Sequence, residues 1–158
     1  MTHLLKTLFP ARPDNRFPGH KLALLGFILI ILMLIFRGLM HMTSPDGGAQ
    51  SIATIPLDTY SADARANIVA MFGQWGLSQL LLTSLYVVAL FRYRSLIPLF
   101  LLLFVLEVGG RYVVGHFKPI VTVDTAPGAA ATLPVLLIGL VLLGLSLMPS
   151  RTRADASE

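Results

Sequence analysis

The chain predicts an all-α polytopic membrane protein, with four transmembrane helices in an antiparallel bundle and both termini cytoplasmic. Three observations carry this expectation. The mean hydropathy is +0.76, and 55% of the 158 residues are hydrophobic against 13% charged, which is too apolar for a soluble domain of this length. Four apolar runs approach or reach the roughly 20 residues that a helix needs to cross the hydrocarbon core. Lysines and arginines collect on one side of those runs.

A basic leader occupies residues 1–21. Within it Leu4, Leu5, Leu8 and Phe9 recur at helical spacing around Lys6, ahead of Pro10. This pattern fits a short helix lying on an anionic leaflet, and equally a disordered basic segment that only sets topology. The first span, 22–42, is unbroken from Leu22 to Phe36, meets Arg37, and ends at the turn-rich Ser44-Pro45-Asp46-Gly47-Gly48. That run resembles a signal-peptide core, but the long leader and the poor, distant cleavage site at Gly47-Gly48-Ala49 predict a retained helix. Further spans are predicted at 66–91, 96–114 and 130–149, the last opened by the small-residue stretch from Pro127. Prolines mark the outer loop 43–65 and a shorter loop around Lys118 and Asp124. Residues 150–158 form a predicted disordered tail.

Lys6, Arg12, Arg16 and Lys21 precede the first span, Arg92 and Arg94 join the second to the third, and Arg151 and Arg153 follow the fourth. All eight share one side, which the positive-inside rule makes the cytoplasm. The net charge of +4 is thus spent on topology and lipid headgroups, and nucleic acid is not an expected partner. Without cysteine the chain has no disulfide, thiolate ligand or thiol nucleophile.

Charges inside the apolar runs are the candidate functional groups, because ionisable residues at membrane depth require a partner. Glu107 lies ~17 Å from the cytoplasmic end of the third span, Arg111 ~23 Å, and Arg37 ~22 Å along the first. Gln74, on a span running the other way, lies ~12 Å below the outer surface, close to the level of Glu107. Arg37 with His41, and Glu107 with Arg111, are i, i+4 neighbours. Asn67, Met71, Gln74 and Ser78 share a stripe of the second span. The expected ligand-binding site is therefore a polar interior in the outer half: Arg37, His41, Asn67, Gln74, Glu107 and Arg111. Two readings stand side by side. The polar groups serve as interhelical glue, or the excess of two arginines over one carboxylate receives an anionic lipid or small anion.

Other residues carry less. His41 and His116 near the outer surface lack any haem-binding signature, and His41, His116 and Glu107 sit at different depths for a metal, so no cofactor is predicted. His3 and His20 read as solvent or interface residues. Trp75 lies too deep for an interfacial anchor and reads as packing, whereas Tyr60 and Tyr112 suit the outer interface. Gly73 with Gly76, and Gly109-Gly110, read as places where helices approach closely.

The polar start of the second span (Asp63, Arg65, Asn67), the basic turn Phe91-Arg92-Tyr93-Arg94 and Gly110-Arg111 late in the third resemble the small bacterial DoxX-like membrane proteins and their uncharacterised relatives. The resemblance covers the architecture of about residues 20–149. It implies a bacterial inner-membrane protein, in some relatives a subunit associated with quinone-linked redox chemistry, and transfers no catalytic residue. The long proline-bearing loop and charged leader depart from that pattern. The expected function is a non-enzymatic accessory subunit, working with a partner membrane subunit or as a homo-oligomer, or a binder of lipid or a small anion. The alternatives are a small oligomeric transporter or channel coupled through Glu107, and a redox subunit or enzyme.

Overall fold

The computed structural model describes residues 3–149; the predicted tail, with Arg151 and Arg153, lies outside them. Among the described residues all regular structure is helical: α1 (His3–Leu8), α2 (Lys21–Thr43), α3 (Ala62–Arg92), α4 (Ile97–Phe117) and α5 (Pro127–Leu147). The four helices α2 to α5 are long and apolar enough to cross a membrane, α4 together with the tight turn Arg94–Leu96 before it.

Boundaries differ from the expected ones for local reasons. The helix expected from 66 starts at Ala62, because the Ser61 hydroxyl accepts from the Ala64 amide at 3.3 Å and Asp63 suits the first turn. The helix expected to end at 114 runs on to Phe117, with the Lys118 amide donating to Val114. Pro127 opens α5, where its missing N–H is lost from a position that has no intrahelical partner.

Of the two readings for the leader, 3–8 takes the helical one, and the chain after it is pinned to the bundle. The Ser95 hydroxyl and amide both donate to the Asp14 carbonyl, and the Asp14 amide returns a bond to the Ser95 hydroxyl at 2.8 Å. His20 caps α2 by accepting from the Leu22 amide, while its own amide donates to Leu145. Above this floor lies the main core, where Phe27, Ile30, Ile31 and Leu34 of α2 meet Tyr86 of α3 and Leu101, Phe104 and Val108 of α4. Phe27 stacks on Tyr86 at 5.5 Å, and Phe100 meets Tyr86 edge-on at 4.8 Å.

At the opposite, loop end, α2 and α3 approach through glycine. A Cβ on Gly76 would fall 2.7 Å from the Met42 nitrogen and 2.8 Å from the Gly38 oxygen, and one on Gly38 would fall 2.8 Å from Leu80. Small residues are what let helices pack this closely where apolar burial gives little drive. The other glycines expected at close approaches are not there: Gly73 and Gly110 have nothing within 4 Å, and Gly109 meets only the tip of Leu136 at 3.8 Å. Gly73 and Gly110 face away from neighbouring helices.

The loop between α2 and α3 has a core of its own, with Ala49, Ile55 and Leu57 packed on Ile68, Val69 and Phe72 of α3. Gly47 and Gly48 turn the chain at φ of 62° and 74°, a region glycine occupies without strain. The Asp46 carboxylate accepts from the amides of Gly48, Gln50 and Ser51 and from the Ser51 hydroxyl. Burial alone would raise this carboxyl, but these hydrogen bonds outweigh it and hold the group below its ordinary value of 3.8.

Gly76→Leu is expected to break the α2–α3 contact, at about 1–3 kcal/mol or more because backbone has to move. Gly110→Ala, in open space, should be neutral or stabilising by up to ~1 kcal/mol through helix propensity. Thermal denaturation in detergent, followed by circular dichroism, separates the two. A folded pKa below the unfolded one means that Asp46 contributes fully above the ordinary value and loses its contribution as pH falls through the folded one. Asp46→Ala should therefore speed amide exchange at Gly48, Gln50 and Ser51 by about tenfold near neutral pH, and wild type should approach the variant below that ordinary value.

Candidate functional site at the loop end

The glycine crossing brings the side chains beside it together. Arg37, next to Gly38, lays its guanidinium over the Trp75 ring, 4.7 Å from the centroid, a cation–π contact that stabilises the charge away from water. One turn on, His41 stacks against Trp75 at 4.8 Å and 25°, and meets the edge of Phe72 at 5.4 Å. His41 is only 6% exposed. Its Nδ1 lies 2.8 Å from the Gly47 carbonyl; a carbonyl can only accept, so Nδ1 carries the proton and Nε2 is free of it in the neutral ring. This bond ties the loop to α2.

From α4, Arg111 approaches Glu107, Nε to Oε1 at 2.6 Å, with both side chains about one third exposed (34% and 35%). The contact is close but poorly directed, since Nε lacks the alignment of a hydrogen bond. We regard it as an ion pair, for which distance matters more than angle. Arg37 is within electrostatic range of both groups. It has no carboxylate at ion-pair distance among the described residues. Asp58 in the loop is held by Arg65 at 3.7 Å and by the Gln50 side-chain amide at 2.6 Å. Two guanidiniums thus stand in the field of one carboxylate, and only Arg111 pairs with it.

Four of the six expected residues, Arg37, His41, Glu107 and Arg111, occupy this one neighbourhood. Asn67 and Gln74 do not join them. Both are exposed, as are Met71 and Ser78 of the same stripe, and the Ser78 hydroxyl is spent on the Gln74 carbonyl. The reason is helical phase: α3 turns Phe72, Gly76, Thr83 and Tyr86 inward, and Gln74, two residues from Phe72, points about 200° away. His116 is exposed beside Phe117. Among the described residues no three His, Asp or Glu side chains converge as a metal-ligand set.

Two residues at the site were not among those expected. Trp75 is more than packing, being the surface on which Arg37 and His41 both rest. Gln79, one turn further along α3, holds an amide whose Nε2 and Oε1 are both sealed from solvent without a partner. Its spacing of four from Trp75 and from Thr83 was the available signal. A separate open groove of about 660 Å³ lies between the loop and α3, lined by Pro45, Leu57, Tyr60 and Val69. Its charged groups, Asp58 and Arg65, neutralise each other, so it offers less chemistry than the arginine cluster.

No protein-family model, curated protein or solved structure matches this chain.

Removing this carboxylate should expose the arginines' repulsion. Glu107→Gln is expected to lower thermal stability, Arg111→Ala to do so less, and the double variant to recover part of the loss. A double-mutant cycle should return a coupling of about 0.5–3 kcal/mol; a double variant no better than Glu107→Gln would show that the pair is not coupled.

Proposed function

We propose that this chain is a multi-pass protein of a bacterial inner membrane that binds an anionic group, a lipid headgroup or small anion, at the loop end of an antiparallel four-helix bundle. In this reading it is a non-enzymatic binder or the accessory subunit of a larger membrane assembly. The carrying observation is Arg37: a half-buried guanidinium placed on Trp75, with no carboxylate of its own and a second arginine nearby. An uncompensated charge at membrane depth is costly, and an anion accepting charge-assisted hydrogen bonds from two guanidiniums supplies what the protein does not.

The orientation belongs to the same proposal. The leader and the Arg92–Arg94 turn face the cytoplasm, as the lysine and arginine distribution favours, and residues 44–61 face outward. The bacterial location is what the DoxX-like resemblance implies. Because α5 buries only Gly139 and Ser146, its remaining surface is available to lipid or to a partner subunit.

Native mass spectrometry of gently extracted protein should find a retained anionic mass whose occupancy falls by about tenfold or more in Arg37→Gln, the scale of one charge-assisted hydrogen bond. Unchanged occupancy would remove Arg37 from the site. The absence of cysteine allows single replacements to test orientation: Thr59→Cys should react with an impermeant maleimide on intact cells, and Asn15→Cys only after permeabilisation.

A further inference from the structure

The anion-binding reading leaves open how its ligand arrives, and the packing of α4 and α5 bears on this. Contacts between the α2/α3 pair and the α4/α5 pair are concentrated at the leader end, where Phe100 rests on Tyr86 and Gly26 fits against Leu142. Towards the loop end they stop. Residues 112–125 are exposed without exception, Gly110, Gly115 and Gly128 have nothing within 4 Å, and the buried residues of α5 are confined to its second half. The α2/α3 and α4/α5 pairs therefore part company, and the Glu107–Arg111 pair sits where they do.

The gap is bridged at its top. The Val123 amide donates to the Thr54 carbonyl at 3.0 Å, and the Thr54 hydroxyl donates to the Asp124 carbonyl at 2.7 Å. With loop joined to loop, approach from the aqueous side is obstructed, and the open direction is sideways, into the surrounding bilayer.

Gln79 stands at the depth where this gap begins, with its amide closed off from it. The Tyr86–Phe100 contact serves as a ruler: Gln79 is seven residues back along α3, and Glu107 seven residues on along α4. Both therefore stand about 10 Å from that contact, on the same level. A sealed amide with neither donor nor acceptor satisfied is rare in a folded protein and costs about 1–3 kcal/mol. It calls for a group offering an acceptor oxygen and a hydroxyl together.

We propose that the gap between the two helix pairs receives, from the side, the headgroup of an anionic phospholipid, with Arg37 binding its phosphate and Gln79, its amide turning out of its sealed position, hydrogen-bonding the headgroup. The acyl chains leave sideways into the bilayer core. Gln79 is a specificity-determining residue in this arrangement, since its amide favours a hydroxyl-bearing headgroup such as glycerol. The inference rests on the anion-binding reading and adds a source and a route.

Trp75 is the chain's single tryptophan and lies under Arg37, so its fluorescence reports on the site directly. The full chain is reconstituted in phosphatidylcholine vesicles containing increasing fractions of phosphatidylglycerol or phosphatidylcholine brominated near the headgroup end of the chains. Brominated phosphatidylglycerol should quench Trp75 at a mole fraction roughly fivefold lower than brominated phosphatidylcholine, the scale of one arginine's attraction for an anionic lipid. Arg37→Gln should abolish the preference and Arg37→Lys should retain most of it. Gln79→Leu, which removes an unsatisfied amide and should fold at least as well as wild type, should reduce the preference, while Gln74→Leu on the opposite face should not change it. Equal quenching by the two lipids overturns the lateral-lipid proposal. If millimolar inorganic phosphate then still shifts Trp75 emission in wild type and not in Arg37→Gln, the anion-binding reading stands without it; if phosphate has no effect either, both fall.

Discussion

The loop end of this molecule depends on the backbone contact between α2 and α3 at Gly38 and Gly76. Where the surroundings are as apolar as leucine, helices gain little from hiding apolar surface from one another, and association relies on close fit. With a Cβ on Gly76 falling 2.7 Å from a backbone nitrogen, no larger side chain fits without moving one helix. That closeness brings Arg37 and His41, one turn apart on α2, onto the single indole of Trp75. The charge is thereby held in place by an aromatic face, and α4 supplies the neighbouring Glu107 and Arg111.

The two ends of the bundle are built from different interactions. The leader end is closed by apolar packing around Phe27, Tyr86 and Phe104, over a floor formed by the Asp14–Ser95 exchange and by Gly19 beneath the Ser146 backbone. The loop end is held by directional hydrogen bonds: Asp46 within its turn, His41 to Gly47, and Thr54 to Asp124. Dense packing resists opening, since every displaced side chain loses many contacts at once. A few hydrogen bonds can open and re-form around an incoming group. The unpaired Arg37 and Gln79 lie at the more adaptable end.

How far the fold and the site were readable follows from which signals are local. Helix positions were, because span length and hydropathy are properties of consecutive residues; the helix ends, such as the start of α3 at Ala62, are set by caps whose reach is one turn. Glu107 with Arg111 was readable too, as the i, i+4 spacing joins two side chains on any regular helix. The inward face of α3 was not. Asn67, Gln74 and Ser78 form a genuine polar stripe, yet in a helix apolar on several sides a stripe does not say whether it faces a neighbour. The structure turns it outward and turns Trp75 and Gln79 inward. The glycines divided in the same way: Gly76 meets α2 and Gly110 meets nothing, though both sit in comparable apolar settings.

Composition, span length and charge placement thus specified four membrane-length helices and the charges within them, because those quantities add up along the chain. Which charges meet was settled by the rotation of each helix about its axis and by where the helix pairs separate. Both depend on contacts between residues distant in sequence, Gly38 with Gly76, Phe100 with Tyr86 and Thr54 with Asp124. Helical periodicity relates residues within one helix and leaves the phase between two helices free, and only side chains packing against each other across the bundle remove that freedom.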